Sequence, residues 1–234
     1  MATKTKTKKI KINASDLLFI ATLVYLSQFI ENLFHDLIQW TPLIDVLPLG
    51  NVWWTLILRL LCIAAWSGVI YLAVKSSQKC GYGPVEKVKN VKKSEWIAPI
   101  VIALLFSAYF VWSDGGIAIL WAKLKNMGGF IGTVSYPIFL AFQVALVVLV
   151  IALSQKAFET IFPRAWHYIP FGGLFLGVCM AIVNLISGIS SGGVDALVLL
   201  FMLVIQTVFG VVYVLTGKRS VLAFPFIYLM FFIL

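Results

Sequence analysis

Charge is what this chain has least of. Of its 234 residues only 12% are Asp, Glu, Lys or Arg, about half the share of an ordinary soluble domain. Hydrophobic residues make up 62%, and the mean hydropathy is +1.01. That poverty of charge excludes a soluble enzyme, a disordered chain and a disulfide-rich secreted module. Acidic residues are scarcer still, 9 against 18 Lys and Arg, for a net charge of +9. The positive charge sits in short segments between apolar runs, the pattern of membrane topology and anionic headgroups rather than of a nucleic-acid surface. The three cysteines, Cys62, Cys80 and Cys179, contain no CxxC pair, so neither a disulfide framework nor a zinc ribbon is expected. Histidine is reduced to His35 and His167. No cofactor and no metal are expected.

Long apolar runs are abundant. A membrane-crossing helix needs about 20 mostly apolar residues, and seven stretches qualify or nearly qualify: roughly 16–38, 52–75, 96–113, 130–154, 170–187, 194–216 and the shorter 220–234, which contains Pro225. Ser15-Asp16 reads as the start signal of the first. The basic opening resembles a signal peptide, but its apolar run is too long and has no small-x-small site, so the first helix is expected to be retained. The expectation is an all-α polytopic membrane protein, a bundle of about seven transmembrane helices. A basic tail, 1–14, precedes a single membrane domain, 15–234, with no room for an appended soluble domain. Alternate loops differ sharply in charge. The tail, the 76–95 loop and its edges, Lys156 with Arg164, and Lys218 with Arg219 carry nearly all the cations; the other side holds Lys123 and Lys125. This places the N-terminus in the cytosol, in a multi-pass protein of the plasma (cytoplasmic) membrane. Segments 39–51 and 114–129 read as interfacial stretches on the outer face, anchored by Trp40 and Trp121.

Ionisable groups inside a bilayer are costly and mark functional candidates. The first span carries Gln28, Glu31, Asn32, His35 and Asp36 at offsets that share one helical face, expected to turn inward. Glu31 and His35 suit a proton relay or half of a metal site; a buried polar face is the plainer reading. Arg59, inside the second span, needs a carboxylate such as Glu31 or Asp36. Gly172, Gly173 and Gly177 have the small-residue spacing of close helix packing, and Asn184 and Gln206 suit hydrogen bonds between helices. Gly188-Ile189-Ser190-Ser191-Gly192 matches GxSxG in letters only: a nucleophile elbow follows a strand, whereas a membrane helix precedes this one. It reads as a flexible outer loop.

The run Gln206 to Gly217 ends in G-x-x-Y-x-x-T-G. A basic turn and a proline-containing helix, Ala223-Phe224-Pro225-Phe226, follow it. This last third resembles the end of the CPBP family (CAAX-protease and bacteriocin-processing, or Abi), whose members are intramembrane proteases. The resemblance implies a catalytic EExxxR motif, an FxxxH motif and a later histidine. Here Glu159-Thr160-Ile161-Phe162-Pro163-Arg164 keeps the first glutamate and the arginine but has Thr160 for the second glutamate. Asn184 stands where histidine is wanted, and the last span has none. If the chain were an enzyme, Glu159, Arg164 and Asn184 would be its candidates, Glu159 activating water. Without partners a pseudoprotease is implied, and Glu159 with Arg164 then reads as an interfacial pair in a cytosolic loop. The expected function is a non-catalytic scaffold or accessory subunit for partner membrane proteins, seated among anionic cytosolic headgroups. The alternatives are an active CPBP-type protease and a small ion- or proton-coupled transporter built on Glu31, His35 and Arg59.

Overall fold

A computed structural model describes residues 12–40, 51–85, 91–113, 129–162, 168–191 and 193–234. All regular structure among them is helical: α1 (Ala14–Leu26), a 3₁₀ turn (Ser27–Phe29), α2 (Ile30–Trp40), α3 (Asn51–Lys79), α4 (Ser94–Ser113), α5 (Gly129–Ile161), α6 (Phe171–Ser191), α7 (Ala196–Leu215) and α8 (Ser220–Ile233). Six stretches, with α1 and α2 counted as one, are long and apolar enough to cross a membrane, and α8 is a shorter apolar helix. The chain is therefore a multi-pass integral membrane protein, an all-α bundle of about seven helices. The expected interfacial segments lie largely outside the described residues; of the expected 76–95 loop only 86–90 do, and its two ends belong to α3 and α4.

The bundle is organised around α5. Over its spanning stretch 67% of the residues are buried, against 11% for α4. Every residue from Leu146 to Leu153 is enclosed, so α5 shows no polar stripe; a helix buried all round needs none. The other helices pack against it directly or through a neighbour, and α8 fits between α4, α5 and α7. With 14 residues, α8 is about 21 Å long, short of a hydrocarbon layer about 30 Å thick. It penetrates the bundle without matching a full crossing.

Glycine sets the closest seams. A Cβ on Gly173 would stand 2.8 Å from Gly210 Cα, and one on Gly210 would stand 2.7 Å from Gly173 Cα. One on Gly172 would strike the Ile151 carbonyl. Between membrane helices the driving force is packing rather than water exclusion, so backbones brought this close are what hold α6 against α7 and α5. Gly177 meets Leu203 in the same seam.

Four sequence expectations change. The α1 cap is Asn13, whose side chain accepts from the Ser15 N–H and donates to Asp16, rather than Ser15-Asp16. Helix α3 continues to Lys79 and α5 to Ile161, beyond the apolar windows, because helical backbone bonding does not stop where hydropathy falls. Glu159 thus rides on a helix, not in a loop. Helix α6 continues through Gly188 to Ser191, so most of the expected flexible loop is helical, and the Gly193 N–H closes back on the Gly188 carbonyl. Finally, the polar face of the first span turns inward only in part. Gln28 and Glu31 are half-buried, while Asn32, His35 and Asp36 are exposed.

Candidate functional site

Two polar assemblies lie at opposite ends of the bundle. The first is where α3, α5, α7 and α8 meet, at the lysine-rich end. Two helices finish there in the same way. At the end of α3 the Gly81 N–H bonds to the Gln78 carbonyl and the Tyr82 N–H to Ser77; at the end of α7 the Gly217 N–H bonds to Val214 and the Lys218 N–H to Tyr213. Both are Schellman caps with glycine in the left-handed region, φ +82° at Gly81 and +67° at Gly217. Each cap throws its next residue, Tyr82 or Lys218, toward the same space. Lys218 itself has φ +61°, an uncommon conformation for a residue with a side chain.

That space is a cavity of about 340 Å³ lined by Tyr82, Gln155, Lys156, Glu159, Tyr213 and Lys218, with Arg219 at its edge and Ile12 and Ala152 as apolar wall. Glu159 Oε1 forms an ion pair with Lys218 and accepts from the Gln155 amide at 2.9 Å. Gln155 is fully buried. It also donates to the Ile169 carbonyl and accepts from the Gly172 N–H, which ties the start of α6 to the end of α5. Tyr82 and Tyr213 bring their hydroxyls to 3.2 Å. Behind the cavity Arg219 pairs with Glu95 at 3.3 Å, and Glu95 stands against Gly217, where a Cβ would meet its carboxylate at 3.1 Å. Three cations thus face two carboxylates, and among the described residues Lys156 is in no ion pair. Such a cavity is suited to holding an anion. It is less suited to proton transfer, because its one lining carboxylate already holds an ammonium.

The other assembly surrounds Arg59. Its Nη1 donates to Ser135 Oγ at 2.7 Å and to the Gly132 carbonyl at 3.0 Å, and its guanidinium lies over the Tyr136 ring. Glu31 is within electrostatic reach of Arg59, but no ion pair joins them. The expected carboxylate partner is thus replaced by neutral oxygens of α5. His35 Nδ1 and Asp36 Oδ1 are 3.8 Å apart. Deeper in, the buried Trp66 indole donates to the Ser27 carbonyl at 2.9 Å; the 3₁₀ turn leaves that oxygen accessible.

The structure does not bring Asn184 to Glu159. Gly172 bonds to the glutamine that holds Glu159, but Asn184 is twelve residues further along α6, about 18 Å away at 1.5 Å per residue. The Asn184 amide donates to its own helix at the Met180 carbonyl. Arg164 and His167 lie outside the described residues. Sequence reasoning did not select Gln155 or Tyr82, and Tyr213 stood out only as the tyrosine of the G-x-x-Y-x-x-T-G run. For Gln155 a signal existed, an amide at the edge of a long apolar run; for the pairing of the two tyrosines, 131 residues apart, none did. Lys218 and Arg219 stood out only as topology signals. No protein-family model, curated protein or solved structure matches the chain.

Proposed function

We propose that the chain is a non-catalytic scaffold or accessory subunit for partner membrane proteins. The use made of Glu159 carries this reading. A carboxylate that activates water must be free to accept a proton, whereas Glu159 holds the Lys218 ammonium and the Gln155 amide, and Asn184 is too distant to assist. A CPBP-like pseudoprotease in the plasma membrane fits the same facts: the catalytic position persists while its carboxylate serves to tie α5 to the α7–α8 turn. Helix α4 adds a second support. Ile97, Leu104, Leu105 and Trp112 on it are all exposed, leaving most of one span for lipid or a partner helix.

Isolation from native membranes in gentle detergent tests the proposal. Stoichiometric partners are expected in the mass spectrum of the co-migrating material, and a chain that purifies alone overturns it. One observation favours an active protease, the polar cavity beside Glu159. In that case Glu159→Gln would abolish processing of a substrate peptide; the scaffold reading expects no change in processing.

A further inference from the structure

Next to the polar cavity along the chain is an apolar one. Pro84 and Arg219 line the first, and the next residues, Val85 and Ser220, line a second cavity of about 250 Å³. Its walls are Ile70 and Val74 of α3, Ala145 and Val148 of α5, and Val221 and Phe224 of α8. Apart from Ser220 no polar residue contributes. From Ser220 to Phe224, and from Val74 to Ile70, the wall follows the helices for four residues, about 6 Å into the hydrocarbon layer. A cationic chamber and an apolar slot are therefore lined by consecutive residues at two places, Pro84–Val85 and Arg219–Ser220.

We infer that this pair of cavities is a binding site for a phospholipid of net negative charge, its phosphate in the polar chamber and the start of one acyl chain in the slot. The charge balance selects an anion: Lys156, Lys218 and Arg219 against Glu159 and Glu95. Lys156 is uncommitted among these ion pairs, and Arg219 Nη1 is buried with no hydrogen bond beyond its 3.3 Å approach to Glu95. Ser220, nine-tenths buried, lies beside the Tyr213 hydroxyl, yet its Oγ has no hydrogen bond of sound geometry. Polar groups buried with hydrogen bonding this incomplete leave capacity for a further acceptor. The first turn of α8 opens at Ser220 with no side-chain cap, where its N–H groups and dipole favour a phosphate oxygen. The left-handed Lys218 fits a site that holds strain in order to aim a cation. A soluble anion would fill the chamber and leave the slot empty; a lipid fills both.

The full chain, purified and delipidated in mild detergent, is titrated with phosphatidylglycerol, phosphatidylcholine or glycerol 3-phosphate and read by native mass spectrometry. Phosphatidylglycerol is expected to bind at least tenfold tighter than phosphatidylcholine. Lys156→Gln should weaken it about fivefold, the contribution of one lysine near an anionic headgroup. Val221→Trp fills the slot from a half-exposed position. It should weaken phosphatidylglycerol and leave glycerol 3-phosphate unchanged, and Val221→Phe serves if the larger side chain disturbs folding. Equal retention of the two lipids overturns the proposal, as does insensitivity to both substitutions. Glycerol 3-phosphate binding as tightly as the lipid, with no effect of filling the slot, would make this a soluble-anion site and also overturn it.

Discussion

Arg59 shows how a single intramembrane charge is accommodated. Its guanidinium fork spans the Gly132 carbonyl and Ser135 hydroxyl, and the ring of Tyr136 covers it. Replacing it with Met removes both donations and leaves the Ser135 hydroxyl with only a 3.4 Å contact to the Gly132 carbonyl. The unfolding midpoint in detergent should fall, with a loss of about 1–3 kcal/mol from groups left unpaired. Arg59→Lys should recover only part, since an ammonium lacks the planar fork. An unchanged midpoint in Arg59→Met would show that the cluster does not hold α3 to α5. Cys80, just past the end of α3, is governed by its surroundings: burial pushes its thiol up, and the Asp16 carboxylate adds to the shift. A raised pKa means less thiolate at neutral pH and slower alkylation. Maleimide labelling should be slow at pH 7 and quicken as pH rises, and Asp16→Asn should speed it at constant pH. The sequence marked Arg59 as needing a partner, but the neutral oxygens that satisfy it come from 73 and 76 residues away, beyond any local pattern.

Among the elements, the α6–α7 pair is the most exacting. Gly173 and Gly210 face each other with no room for a side chain on either. Gly173→Leu should therefore force the helices apart, with a cost of at least the 1–3 kcal/mol typical of overpacking, about that much or more. A lowered midpoint and lost helix content on mild heating are the expected readouts; native-like stability would refute close backbone contact. The glycine spacing of α6 was legible, since few other reasons place three small residues on one membrane helix. Its partner was not. Gly210 had stood out only within the run preceding the Thr216-Gly217 turn, and nothing in that run announces which helix it touches. Helix ends were legible to within a turn or two. Hydropathy tracks where side chains are apolar, whereas α5 continues because Gln155 and Glu159 find partners on α6 and in the Lys218 turn.

For the whole molecule, alternation of the helices places the starts of α1, α4, α6 and α8 and the ends of α3, α5 and α7 together at the lysine-rich end. Single cysteines test which compartment that end faces. In a background with Cys62, Cys80 and Cys179 replaced by Ala, Ser113→Cys should react with a membrane-impermeant maleimide added to intact cells. Lys79→Cys should react only after lysis. The reverse pattern would invert the orientation.

Composition, run length and the lopsided distribution of lysine were sufficient, without any structure, for an all-α membrane bundle of about seven helices and for its expected orientation. These are properties summed along the chain, and the bilayer imposes them on each segment separately. Which helix occupies the centre, which glycines meet, and which polar side chains share a cavity were decided only by the tertiary structure. Such facts depend on pairings between different segments of the chain, from Gly173 with Gly210 to Tyr82 with Tyr213, 131 residues apart, and the apolar sequences of membrane helices say little about their neighbours because lipid and protein surfaces are alike in polarity.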